Sequence, residues 1–404
     1  MRSWWSRLLI VVLCLPGILK AQMQQTVTGE AVQPATGQVM DYPAAFFSRY
    51  QPSTAMDMVR QVPGFLLDDG TGNRGFAAAV GNILINDKYP SAKQDAPSAL
   101  LARIPADLVA RIELIRGQVR GIDLQGQSVV ANVILHGDLP AVVRWDLYVR
   151  QNNEGPIKPG VDISLADRWG DIDYNAGFIL EREANGESGS NSIFDASGVL
   201  TEDTTVNQSS TGIDITGTLN AASWFGQTFT QFNTRAHYET RSPVTESRIT
   251  PQSSGGLPRT EFVGDDLTIK QFEIGADSVR NLSPELVGKA ILLYYRQEQP
   301  KVSTRRVVNS AGLQTSLRTA DGETAITEGI GRLEFDWKGL PDHAIQLNLE
   351  GAYNVLDSIL LQTVNTVVVA VPGANTRVEE LRGDFLLKDT WSRGRFELDY
   401  GLGT

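Results

Sequence analysis

The chain has 404 residues, 41% hydrophobic and 21% charged, with 47 acidic against 36 basic side chains and a net charge of −11. That balance excludes nucleic acid or an anionic lipid surface as the main partner, because both are polyanions. Cys14 is the only cysteine, and no later stretch approaches the roughly 18 uninterrupted apolar residues that a membrane helix needs.

Residues 1–21 carry Arg2 and Arg7, then an apolar run from Leu8 to Leu15 that continues through Ile18 and Leu19. This is the layout of a secretory signal peptide, with cleavage expected after Ala21. Its loss takes Arg2, Arg7 and Lys20 from the 36 basic residues and no acid, leaving 33 against 47 and a net charge of −14. The mature chain would then have no cysteine, so an exported protein must be held by something other than disulfides. Residues 22–41 form an N-terminal extension.

From residue 42 to 140 helix and strand signals mix and no alternation is sustained. Thr54 to Arg60 reads as a short helix with Asp57 near its positive end. Val62-Pro63-Gly64 stops it, since proline disfavours helical geometry in the residue before it. Gly81 to Tyr89 reads as a strand and turn, and Ser98 to Ala102 as a helical turn. Arg111 to Ile115 and Val129 to Leu135 read as strands. The sum is a compact α+β domain of about one hundred residues.

Beyond residue 140 the pattern has a period of two. Val143, Trp145, Leu147 and Val149 alternate with Arg144, Asp146, Tyr148 and Arg150, giving one apolar and one polar face. The same beat returns in Leu333, Phe335 and Trp337 against Arg332, Glu334 and Asp336. About eleven such segments are predicted, centred near residues 146, 164, 176, 215, 233, 272, 291, 330, 350, 382 and 397, each close to the nine to eleven residues of a tilted membrane strand. Their linkers alternate between tight (169–170, 222–223, 281–284, 339–342) and long (183–208, 241–265, 298–323, 358–375). Short turns on one rim and long loops on the other are the asymmetry of an outer-membrane barrel. Trp145, Trp169, Trp224, Trp337 and Trp391 all fall near the short-turn rim, where an amphipathic ring suits a membrane interface. A soluble sandwich also alternates, but has no reason for this asymmetry.

Enzyme signals are weak. Gly70 to Gly75 formally matches G-x-G-x-x-G without the βαβ setting that gives the motif meaning. His136, His237 and His343 are isolated from one another and from any cysteine, so no metal-ligand spacing appears. Asp68-Asp69 and Asp265-Asp266 read as solvated loop residues.

One ordered set of motifs is specific: Tyr42-Pro43 with Phe46-Phe47, Thr54 to Phe65, Arg74-Gly75-Phe76, Ile83 to Asn86, Ile104-Pro105, Val109 to Gly117 and Asn132-Val133-Ile134. It resembles the plug domain of TonB-dependent outer-membrane receptors. The resemblance covers the plug fully and the barrel in outline. It implies an α+β plug over residues 42–140, followed by part of an antiparallel transmembrane β-barrel over residues 141–404. It also implies active uptake of a scarce nutrient, most often a ferric siderophore, with cobalamin or oligosaccharide as alternatives. It implies location in the outer membrane of a Gram-negative cell. The partners implied are TonB with its inner-membrane complex, the barrel-assembly machinery, outer-membrane lipid and an extracellular small-molecule ligand. No cofactor, catalytic residue, resident metal or nucleic acid is implied.

By the same resemblance Arg74 and Arg116 reach from plug to carboxylates of the barrel wall, a task that suits a rigid charged fork. Glu334 and Glu350 are places to look for partners, and an ordinary strand-end arginine is the plain alternative. Gly75 and Gly117 serve plug turns. Phe76, Asp87, Lys88, Tyr89 and Lys93 face the substrate or simply form exposed turns. Thr26-Val27-Thr28-Gly29 matches the core of a TonB box. The chain departs from the family after Gly117, reading Gln118-Val119-Arg120-Gly121 where a proline and a tyrosine-glycine turn are usual. A passive porin-like barrel would need neither plug nor TonB segment. Eleven strands leave a barrel of the family's 22 unclosed, its edges costly in lipid, so the chain is expected to be a fragment ending near mid-barrel.

Overall fold

The computed structural model describes residues 39–70, 81–87, 89, 96–116, 127, 129–136, 141–151, 156–252, 256–393 and 396–404. Residues 1–21, expected to be a signal peptide, and Thr26 to Gly29, Arg74, Gly75, Phe76, Lys88, Lys93 and Gly117 lie outside these residues. In the small N-terminal domain, β1 (Val39–Pro43) leads to helix α1 (Ala44–Phe47) and a 3-10 turn, then α2 (Ala55–Val59). There follow β2 (Ile83–Ile85), α3 (Pro97–Arg103), β3 (Val109–Arg116) and β4 (Val129–Leu135). The four strands make one sheet in the order β1-β3-β4-β2, antiparallel except for β2 beside β4.

Helices α2 and α3 start where the sequence supplies an acceptor. Thr54 takes a hydrogen bond from the Asp57 amide, and the Asp57 carboxylate takes the amides of Ser53 and Thr54, a reciprocal capping box. Asp69 takes the backbone and hydroxyl hydrogens of Ser98 at 2.8 and 2.7 Å. It therefore satisfies the first turn of α3 and is no free loop acid. Phe47, Met58, Val59, Leu101, Ile112 and Leu114 close the core between helices and sheet.

The second part of the chain is an antiparallel meander. Its strands are β5 (Val142–Arg150), β6 (Lys158–Trp169), β7 (Ile172–Phe194), β8 (Leu200–Phe225), β9 (Thr228–Pro251) and β10 (Arg259–Ser283). They continue as β11 (Leu286–Asn309), β12 (Gln314–Trp337), β13 (His343–Val364), β14 (Val367–Val369), β15 (Asn375–Arg393) and β16 (Phe396–Gly403). Every strand pairs with its sequence neighbour, β14 folding back as a short arm on β13. All eleven predicted segments fall within strands of this path. Among the described residues β5 and β16 are free edges, and no pairing closes the sheet.

Three expectations need correction. The tight turn set at 222–223 lies at 226–227, after Phe225. The long loops are largely strand: β7 and β8 stay in register from Ile172↔Ser223 to Phe194↔Leu200, and β9 to β13 behave alike. Between β7 and β8 only residues 195–199 turn. Asp265 and Asp266, read as loop residues, pair within β10 and β11, Asp265 holding Lys301 at 3.0 Å. The physical reason is that these outer stretches are rich in Ser, Thr, Asn and Gln on both faces. They therefore lack the apolar beat, while the backbone ladder needs none.

The faces of this sheet are inverted relative to a soluble one. Val143, Trp145, Leu147, Phe178, Phe272, Leu292, Leu333, Leu349 and Leu398 are exposed, whereas Asn233, Glu273, Asp277, Glu328, Glu334, Asn348 and Glu350 are buried on the other face. Burying carboxylates while baring leucines would be costly in water.

Candidate functional site

The small domain and the large sheet belong to one compact unit, and the end of α3 meets the polar face of the sheet. Pro97 sets the first turn of α3, and the apolar side chains Leu100 and Leu101 turn its core side inward. Its last residues therefore point toward the wall. Arg144 donates to the Ala102 carbonyl at 2.7 Å, and the Ser164 hydroxyl to the Arg103 carbonyl at 3.4 Å. The buried Arg103 side chain crosses Gly177, where an added methyl would lie 3.0 Å from its Cδ, and its charge acts on Asp162. Sequence reasoning passed over Arg103, because nothing in its spacing sets it apart from a helix-end arginine favoured by the dipole.

Farther along the same face runs a ladder of alternating charge. Lys289, Glu334, Arg332, Glu350, Arg382 and Asp384 span β11, β12, β13 and β15. Glu350, with its side chain 1% exposed, takes Arg332 Nε at 2.7 Å on one oxygen and Arg382 at 2.6 Å on the other. Arg382 also holds Asp384 at 2.6 Å, and Lys289 lies 3.7 Å from Glu334. Three cations and three anions neutralise one another, so a dehydrated face can hold them. Glu334 and Glu350 thus find their partners within the wall itself.

The predicted residues fall in different places. Arg116 donates to the carbonyl of Gly64 at 3.4 Å, and no carboxylate pairs with it among the described residues. Gly64, at φ +70°, lets its backbone approach that guanidinium, since a methyl there would lie 2.7 Å from Arg116 Nη2. Asp87 sits in a left-handed turn with Asn86 and is tied to the fully buried Asn132, which donates to Asp87 at 2.6 Å and to Glu113 at 2.9 Å. Tyr89 packs against Leu84, Ile115 and Val130. These two therefore brace the small domain's turn and core.

His237, isolated in sequence, has company in the sheet. Pairing of β8 with β9 sets Asp214 opposite Glu239 and Thr216 opposite His237. Nδ1 of His237 lies 2.9 Å from the Thr216 hydroxyl and 3.4 Å from Asp214, and Nε2 lies 3.5 Å from Glu239. No spacing rule finds this cluster, because its three residues come from two arms of a hairpin.

No protein-family model matches the sequence, and no curated relative does. Solved structures do resemble the chain. The ferric citrate transporter FecA in its unliganded form is similar over 91% of this chain and 62% of its own, at 10% identity and a TM-score of 0.32. The siderophore receptor PiuA from Acinetobacter baumannii is similar over 88% of this chain and 62% of its own, at 10% identity and a TM-score of 0.37. The ferric yersiniabactin uptake receptor FyuA from Yersinia pestis gives the same coverages and identity with a TM-score of 0.33. The chain spans about 62% of the length of these receptors.

Proposed function

We propose that this chain belongs to a TonB-dependent outer-membrane receptor for active uptake of a scarce nutrient, a ferric siderophore above all. In this reading residues 1–21 direct export, residues 42–140 form the plug and residues 141–404 contribute barrel wall. The observation that carries it is the inverted sheet: bare leucine, valine and phenylalanine on one face and buried charge on the other suit a wall with lipid outside and polar matter within. The five tryptophans beside the short-turn rim agree with a periplasmic interface, and α3 docks on the polar face, where a plug must lie.

Substrate would bind between the far strand tips and the plug's outward turns around Phe76, Lys88 and Lys93. Occupancy would offer Thr26 to Gly29 to TonB, which pulls on the plug. Arg74 and Arg116, with Gly75 and Gly117 at their turns, would hold the plug until then. The test is uptake of a panel of ferric siderophores, cobalamin and glycans by a deletion strain carrying the gene, with and without TonB. Uptake of one cargo that vanishes without TonB is expected. Uptake that persists without TonB would leave a passive barrel and sink the coupling.

A further inference from the structure

We propose that Asp214, His237 and Glu239 form a binding site for a divalent first-row transition metal ion on the polar face of β8 and β9. The argument begins with charge. Register sets Glu181 opposite Asp214 and Asp214 opposite Glu239, three carboxylates in one row on neighbouring strands. Like charges so placed repel. The two outer acids are matched, Glu181 by Arg150 at 2.6 Å and Glu239 by Arg241. Asp214, between them, reaches only the Thr216 hydroxyl and the His237 ring, and no arginine or lysine pairs with it among the described residues. Arg235, the other cation on this stretch of β9, instead donates to Gln271 of β10. The centre of the row lacks a positive charge.

Geometry supplies the ligands. One atom from each of Asp214, His237 and Glu239 lies within 4.8 Å of the other two. Metal bonds of about 2.0–2.2 Å set ligand atoms roughly 3.4 Å apart; Nε2 of His237 and Glu239 already stand 3.5 Å apart, while Asp214, whose 3.4 Å contact is to Nδ1, must turn toward Nε2 to complete the site. One imidazole nitrogen with two carboxylates suits Zn²⁺ or Co²⁺, whereas Ca²⁺ and Mg²⁺ prefer oxygen alone. The His237 and Glu239 side chains are each 9% exposed, which shields a bound ion from water. The second imidazole nitrogen keeps the Thr216 hydroxyl as a partner, as orienting groups of metal-bound histidines do. The proposal does not depend on transport, because binding is measured on the isolated chain.

The test is titration of the full chain in detergent with Co²⁺, read by its visible d–d absorption, followed by displacement with Zn²⁺. One ion per chain is expected. His237→Gln and Asp214→Asn should each weaken binding more than about 100-fold, beyond the roughly 10–100-fold that loss of an orienting partner costs. His136→Gln and His343→Gln should bind as the unaltered chain does. The unaltered chain gives a second measurement: Zn²⁺ should protect His237, and not the other two histidines, from diethylpyrocarbonate. Absence of stoichiometric binding, binding that survives His237→Gln, displacement by Ca²⁺, or equal modification of His237 with and without Zn²⁺ would each overturn the site.

Discussion

At the scale of single residues, what decides an outcome here is whether a polar atom keeps its partner. Asp57 shows the sign. Burial would raise its pKa, but hydrogen bonds from Thr54 and from the amides of Ser53 and Thr54 outweigh it and hold the carboxyl below its ordinary 3.8. A group whose folded value is depressed contributes stability above its unfolded value and loses it as pH falls through the folded one. Unfolding of the small domain, followed by circular dichroism, should therefore show the Asp57 contribution intact at neutral pH and fading only below about pH 4. Asp57→Ala should cost about 1 kcal/mol at neutral pH and nothing extra in acid. Glu350 is the harsher case, because both of its oxygens serve arginines. Glu350→Ala would take from Arg332 and Arg382 the buried carboxylate they share, although Glu334 and Asp384 stay beside them, and should destabilise by about 3 kcal/mol in urea titrations. Arg332→Met with Glu350→Leu should recover part of that loss.

Elements answer to faces rather than to single bonds. Leu292 is 64% exposed on the apolar face, near the short-turn end of β11, and Gln297 shares the polar face with Gln271. In a soluble sheet Leu292→Arg would be nearly neutral. In a bilayer it should cost about 2–4 kcal/mol, and Gln297→Arg much less. Folding of both variants into lipid vesicles, scored by heat-modifiable gel migration, separates the two cases. Gly177→Ala tests the docking of α3, since its methyl would meet Thr218 at 2.7 Å and Arg103 at 3.0 Å. It should cost about 1–3 kcal/mol by overpacking, seen as faster proteolysis at the α3 end. The eleven strand centres and the helix from Thr54 with Asp57 at its positive end were legible in sequence because period two and helix-end chemistry are local. The polar strand extensions were not, since Ser188 to Ser192 and Thr204 to Gln208 show no apolar beat. The Arg332–Glu350–Arg382 ladder and the Asp214–His237–Glu239 cluster were invisible for another reason: register across hairpins, which no spacing along the chain encodes, brings them together.

For the whole molecule, nearest-neighbour connectivity has a consequence for how the sheet comes into being. Each strand from β6 to β13 finds its partner one hairpin away, so no pairing waits for a distant part of the chain to arrive. Loop closure is then brief at every step, and its entropic cost grows only slowly with length. Such a sheet can grow strand by strand from either end, each new hairpin templated on the edge just laid down. Its slow step is expected to be the capture of an edge, not the search for a fold. A strand-swapped order of β9 and β10 should cripple assembly, although it preserves every composition and both faces. Pulse-labelled hydrogen exchange during folding should show protection spreading along the chain order rather than appearing everywhere at once.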